Sequence, residues 1–226
     1  MPYVAPSRWK IASLCVAGFA FMASALSIWS PELVRDAWLG HNDFIPSYIA
    51  GKLASSAELY SPERSVQLQG ELLGVRAEWM LYMRPPFFAV LMMPLAALPF
   101  GIAYAIFQAI SVACIAAFVW LFARKSMDVA VLASVSVPIL LAFLQGQDIG
   151  IVMLAYAGFI VLSEKGCGFQ SGLALSLCLI KFHLFPLTGL ALLIRREWAV
   201  VRGVVAGAVV LAGLSFSVVG ANWPTL

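Results

Sequence analysis

The 226-residue chain is 62% hydrophobic and 11% charged, with a formal net charge of +3 and a mean hydropathy of +0.95. A soluble domain carries about 25% charged residues, so a water-covered globule and a disordered chain are both excluded, and bilayer is the expected solvent. The bases are scattered rather than set in a stripe, which argues against nucleic acid, whose phosphates are neutralised in series.

Residues Ile11 to Trp29 carry no charge and follow Arg8 and Lys10. That length just spans a hydrocarbon core of about 30 Å. Ala23-Ser24-Ala25 resembles a signal-cleavage site, but the apolar run continues through Trp29 and favours an uncleaved helix. Basic residues are retained inside, so the N-terminus is expected in the cytoplasm. Ser30 to Arg84 is the one long polar segment, with seven acids and five bases, and alternation makes it extracytoplasmic. Within it Leu68, Leu72, Val75, Trp79 and Tyr82 follow helical spacing and predict an amphipathic helix lying at the membrane interface. A weaker helix is expected from about Pro46 to Tyr60.

Pro85 to Ala123 is free of charge and predicts one full span plus a shorter arm, broken near Leu98-Pro99-Phe100-Gly101, where proline and glycine interrupt helix. Val129 to Leu144 and Ile149 to Leu162 predict a hairpin around Gln145-Gly146-Gln147-Asp148, on the outer side by alternation. Ser171 to Ile180 is too short to span alone. It meets Lys181-Phe182-His183-Leu184-Phe185-Pro186, and Leu187 to Ile194 resumes. A last run extends from Val200 to Val219. The expected fold is therefore an all-α, polytopic membrane bundle, one domain over residues 1–226, with about six to eight membrane helices including short or broken ones. The four cysteines, Cys15, Cys114, Cys167 and Cys178, show no CxxC spacing and read as small buried hydrophobes.

Chemistry-bearing residues are few. HExxH, GxSxG and P-loop motifs are missing, which removes support for a zinc protease, a nucleophile-elbow hydrolase and a P-loop nucleotidase. Asp43 stands where the first apolar run has just met the polar loop, and an ionisable group at a membrane boundary is a candidate functional site; the alternative is a helix N-cap. Lys181 sits between two half-helices. Irregular backbone at membrane depth is tolerated only where it lines a cavity or packs on protein, and a cation there suggests a visiting anion such as a lipid-linked phosphate; the alternative is a lysine snorkelling to headgroups. Arg84 before Pro85-Pro86 reads equally as an interfacial base at a helix start or as a phosphate contact. Gln147 and Asp148 suit either a sugar or a polar turn.

The order of these segments resembles integral-membrane glycosyltransferases of the GT-C type, most closely glycosyltransferase family 87, the polyprenyl-phosphate-mannose-dependent mannosyltransferases. The matching stretches are Asn42-Asp43-Phe44 with Tyr48 and Gly51, then Leu59-Tyr60, then Tyr82 with Pro85-Pro86-Phe87 and Val90. Pro94-Leu95 and Leu98-Pro99-Phe100 follow, then Gly146-Gln147, and finally Lys181 with Pro186-Leu187 ahead of Arg195-Arg196. Chains of that family are usually longer, so this sequence reads as an N-terminal portion or short form, served by a protein partner if it is naturally short.

The resemblance implies a hexosyltransferase of the cell membrane that takes sugar from a polyprenyl-phosphate donor and passes it, with inversion, to a lipid or glycan acceptor on the extracytoplasmic side among membrane lipids. Asp43 would be the general base, roofed by the loop helix. Arg84, Lys181 and His183 would meet the donor phosphate, and Asn42, Tyr48 and Gln147 would line the substrate site. Some relatives pair two acids on a divalent metal. Here the neighbour of Asp43 is Asn42, and a lone carboxylate is a poor cation site, so no metal and no cofactor are expected. A lipid-linked-sugar transporter or flippase, and a non-catalytic membrane subunit, are the competing readings.

Overall fold

The computed structural model describes residues 7–39, 41–74, 80–123 and 127–220. Those residues form helices and connections without a strand. In chain order the helices are α1 (Arg8–Trp29), α2 (Pro31–Trp38), α3 (Phe44–Leu53), α4 (Pro62–Leu73), α5 (Pro86–Ala96), α6 (Phe100–Ala123), α7 (Met127–Ser134), α8 (Val137–Leu144), α9 (Ile149–Glu164) and α10 (Gly168–Ser176). A 3-10 segment, Leu177–Leu184, leads to α11 (Phe185–Ile194), and α12 (Trp198–Val219) is the last described helix.

Among the described residues, four stretches are long and apolar enough to cross a membrane: Trp9–Trp29, Phe100–Ala123, Gly168–Ile194 and Trp198–Val219. Pro86–Ala96 and Ile149–Glu164 are shorter apolar helices. This is the all-α membrane bundle expected from the apolar runs. Its helix starts follow capping chemistry. Ser7 accepts the Lys10 amide at 3.4 Å before α1, and Ser61 accepts the Arg64 amide at 3.2 Å, with Pro62 at the first helical position of α4. Each side-chain oxygen satisfies an amide that has no partner inside the helix.

By contact density the chain divides into two compact units. The first comprises Met1–Asn42 and Gln108–Leu154. Its core gathers Ile11 of α1, Val119 and Ala123 of α6 and Ala130 of α7. Phe19 meets Phe143 edge to face at 5.6 Å, and the Gln108 side-chain amide donates to the Phe143 carbonyl at 2.6 Å.

The second unit comprises Asp43–Phe107 and Ala155–Leu226. Here α10 and α12 cross at Gly172 and Gly203. A methyl group added to Gly172 would overlap the Val200 carbonyl oxygen, and one on Gly203 would overlap that of Phe169. Small residues at such a crossing let backbones approach when both helices lie in hydrocarbon. Helix α3 packs on α5, and α5 packs on α12. Phe44, Tyr48, Phe100, Tyr104 and Phe107 form one aromatic cluster with ring centroids 4.8 to 6.1 Å apart.

Three local expectations need correction. The amphipathic loop helix does not run to Tyr82. It ends at Leu73, because Gly74 adopts a left-handed backbone (φ +67°) that closes the helix. Val75 and Trp79 lie outside the described residues, and Tyr82 sits in the connection ahead of α5. The buried face of α4 is centred on Ser65 and Gln69 rather than on leucine, with the Gln69 amide donating to the Ser65 hydroxyl at 2.9 Å and to the Met80 carbonyl at 2.6 Å. The weaker helix begins at Phe44 and stops at Leu53, followed by turns through Tyr60. The arm from Val129 to Leu144 is two eight-residue helices. Pro138 has no amide hydrogen to continue a preceding helix, and Ser136 caps the new one by accepting the Ile139 amide at 3.4 Å. The short helix α2 carries no signal noted in the sequence reading.

Candidate active site

Asp43 immediately precedes α3. Its neighbours on both sides, Asn42 and Phe44, are fully buried (0% exposed), whereas Asp43 itself is exposed. It occupies the N-cap position, yet its side chain makes no capping hydrogen bond to α3. The carboxylate is therefore not spent on the helix start. Phe44 anchors this corner through the aromatic cluster, which fixes where the chain turns and where Asp43 emerges.

One turn along, Tyr48 is 2% exposed and donates its hydroxyl to the Leu98 carbonyl at 2.7 Å, tying α3 to the α5–α6 corner. The ammonium of Lys52 lies 5.1 Å from the centre of the Tyr48 ring, a favourable position over the aromatic face. Tyr48, Lys52, Leu68 and Glu71 contribute to a crevice of about 170 Å³ between α3 and α4.

Arg84 is half-buried just ahead of α5. Tyr60 donates to its carbonyl at 2.8 Å, and Tyr82 donates to the Pro85 carbonyl at 2.8 Å. The two tyrosine rings are 5.8 Å apart. Burial pushes the Tyr60 phenol up to about 12, so it remains a hydrogen-bond donor throughout the ordinary pH range. Past the bend, the Phe87 amide donates to the Ser215 hydroxyl of α12 at 3.0 Å.

Lys181 stands where the third long apolar stretch breaks. Its backbone (φ −113°, ψ 66°) leaves the helical region inside the 3-10 segment, and the residue is only 9% exposed. Downstream, Pro186 stands in the first turn of α11, where its missing amide hydrogen costs no helical bond. His183, two residues on, is exposed and packs edge to face on Phe182 at 5.9 Å.

Asp43, Tyr48, Arg84, Lys181 and His183 thus belong to the second unit, and Asn42 and Gln147 to the first. Gln147 is half-buried in the α8–α9 turn, where Gly146 takes a positive φ and the Gln147 amide donates to the Ala142 carbonyl at 2.8 Å. Its neighbour Asp148 is 3% exposed. Among the described residues no three His, Cys, Asp or Glu side chains gather where a cation could be held. The first unit holds a larger cavity of about 470 Å³, lined by apolar residues such as Ile11, Phe19, Ile115 and Phe143, which offers no chemistry. The sequence shows Tyr60 and Tyr82 only as the end of a weak helix, a position in an apolar stripe and parts of motifs; both precede Pro85-Pro86, and no local pattern marks them as holding the bend.

The family model described as glycosyltransferase family 87 matches residues 82–225. That range contains Arg84, Gln147, Lys181 and His183, and it begins after Asn42, Asp43 and Tyr48. No curated protein and no solved structure shows significant similarity to the chain. With well over half its length matched and helices fit to cross a bilayer, the chain belongs to glycosyltransferase family 87 and is a membrane glycosyltransferase.

Proposed function

We propose that this glycosyltransferase moves a hexose, mannose by resemblance, from a polyprenyl-phosphate donor to a lipid or glycan acceptor on the extracytoplasmic side, with inversion. The observation that carries the reading is Lys181. A lysine only 9% exposed, on broken backbone within an apolar stretch of membrane-crossing length, is costly to insert, at about 2.5–3.5 kcal/mol on insertion scales. An anionic lipid headgroup arriving from the bilayer is a ligand whose charge suits that group.

In the proposed step an acceptor hydroxyl oxygen attacks the anomeric carbon. The bond from that carbon to the phosphate oxygen breaks, and the electron pair leaves with the polyprenyl phosphate. Asp43 takes the hydroxyl proton, which requires its carboxylate to stand within about 2.6–3.2 Å of the acceptor oxygen. Lys181, Arg84 and His183 stabilise the charge that gathers on the phosphate, the kind of preorganised electrostatics that dominates many transfers. Tyr48 holds the start of α3 beside Asp43 through its bond to the Leu98 carbonyl. Exposure of Asp43 beside fixed, buried neighbours supports a base that an acceptor can reach.

Broken helices with a cation also suit a lipid-linked-sugar carrier, and one experiment separates the two. The purified protein in detergent, where no compartments exist, is given polyprenyl-phosphate mannose and a crude glycolipid acceptor fraction. New glycoside formation supports transfer; unaltered donor that nevertheless binds the protein supports carriage.

A further inference from the structure

We infer that Tyr60 is a positioning residue for Arg84: its phenol fixes the backbone from which the guanidinium reaches the donor phosphate. The inference rests on the reading above that Arg84 meets that phosphate.

The argument begins with what the bend lacks. Pro85 and Pro86 have no amide hydrogens, so two successive residues of this turn cannot be held through their own N–H groups. A residue before proline is pushed out of the helical region, so helix α5 cannot hold Arg84 either. What can hold the segment is donors brought to its carbonyls from elsewhere. Tyr60 supplies one to the Arg84 carbonyl at 2.8 Å from 24 residues away, and Tyr82 supplies one to Pro85 at 2.8 Å. The Phe88 amide also reaches the Pro85 carbonyl, at 3.0 Å. Tyr60 thus donates to Arg84's own carbonyl.

The phenol is itself rooted. Leu59 on one side is 2% exposed, and Ser61 on the other caps α4 and takes its own amide bond to the Glu58 carbonyl at 3.0 Å. The Tyr82 ring packs beside it, tilted by 32° with centroids 5.8 Å apart. A rigid ring on a fixed root therefore sets one carbonyl of the bend. An arginine side chain has many rotamers, and a planar, bidentate grip on phosphate depends on where its stem starts. Holding the stem is the contribution assigned to Tyr60.

The test measures binding of farnesyl phosphate to the purified protein, with farnesol as the uncharged control. Arg84→Gln is expected to weaken farnesyl phosphate roughly ten- to hundredfold, the range for a hydrogen bond to a charged group. Tyr60→Phe, which keeps the ring against Tyr82 and the unfolding temperature close to that of the parent, should weaken it roughly two- to tenfold. Farnesol binding should change in neither. The double variant should bind no worse than Arg84→Gln alone, because a positioning effect vanishes when the positioned group is gone.

Unchanged binding in Tyr60→Phe alongside impaired Arg84→Gln overturns the inference and leaves the proposed function standing. Unchanged binding in Arg84→Gln removes the phosphate role of Arg84 and the inference with it. Additive losses in the double variant, or equal loss for farnesol, show Tyr60 to be structural only.

Discussion

Asp43 and Lys181 carry the two opposite charges of the proposed reaction, and the fold treats them in opposite ways. The acid is exposed between two fully buried neighbours at the start of a regular helix. The cation is buried, on backbone that leaves the helix, followed by the exposed Phe182 and His183. The difference suits what each would meet in the proposed reaction. A base would have to reach an acceptor hydroxyl arriving from outside the protein, and the exposure of Asp43 between buried neighbours suits that. In the proposed reaction a phosphate-binding ammonium would gain strength from a poorly hydrated setting, which the burial of Lys181 suits.

Substitutions sharpen this contrast in order of size. Asp43→Asn keeps shape and removes basicity. Transfer should fall roughly 10²- to 10⁴-fold, the usual weight of a positioned general base, while donor binding is retained; radiolabelled product formation against donor binding measures both. Lys181→Met keeps the bulk and removes the charge. A loss of roughly 10²- to 10³-fold in kcat/KM is expected, comparable to deleting one preorganised stabilising group, and unlike Asp43→Asn it should also weaken the donor. If the two variants shared one kinetic signature, the division of labour drawn here would be wrong.

The third test concerns what holds the Lys181 segment. Gly172→Ala forces a methyl into the Val200 carbonyl at the α10–α12 crossing. Overpacking of this kind costs about 1–3 kcal/mol, read as a lower unfolding temperature in detergent. The smallest effect is at Tyr60. Its phenol titrates at about 12 in the fold against 10 ordinarily, raised by burial. The raised value means that its contribution is fully present below pH 10 and is lost as pH climbs from 10 to 12. Tyr60→Phe should remove part of the alkaline fall in unfolding temperature across that window; an identical alkaline profile would count against a buried, donating phenol.

Much of this was legible in the amino-acid sequence, and the reasons differ by element. Long uncharged runs announce the membrane-length helices, because few other solutions satisfy backbone groups in hydrocarbon. The break at Lys181 was readable because a charge and a proline stand five residues apart in an apolar stretch. The end of α4 was not read, because leucine and tryptophan keep helical spacing across Gly74 and periodicity does not register a residue that permits a left-handed turn. The interruption before α8 was hidden by uniform hydrophobicity around Ser136 and Pro138. The Tyr60 bond to the Arg84 carbonyl joins positions 24 apart and carries no local pattern at all. Of the candidate site, residue types and order were visible. That Tyr48 commits its hydroxyl to Leu98 was not, since a tyrosine reads the same whether its oxygen serves a substrate or a carbonyl.

The most direct measurement replaces the base and offers a substitute. Asp43→Ala protein, given polyprenyl-phosphate mannose, should be inactive alone. With added azide it should release mannosyl azide of configuration opposite to the donor, because the small anion enters the space left by the carboxylate and needs no proton removed. Transfer to acceptor at the parent rate by Asp43→Ala without azide would contradict the assignment of Asp43 as the base.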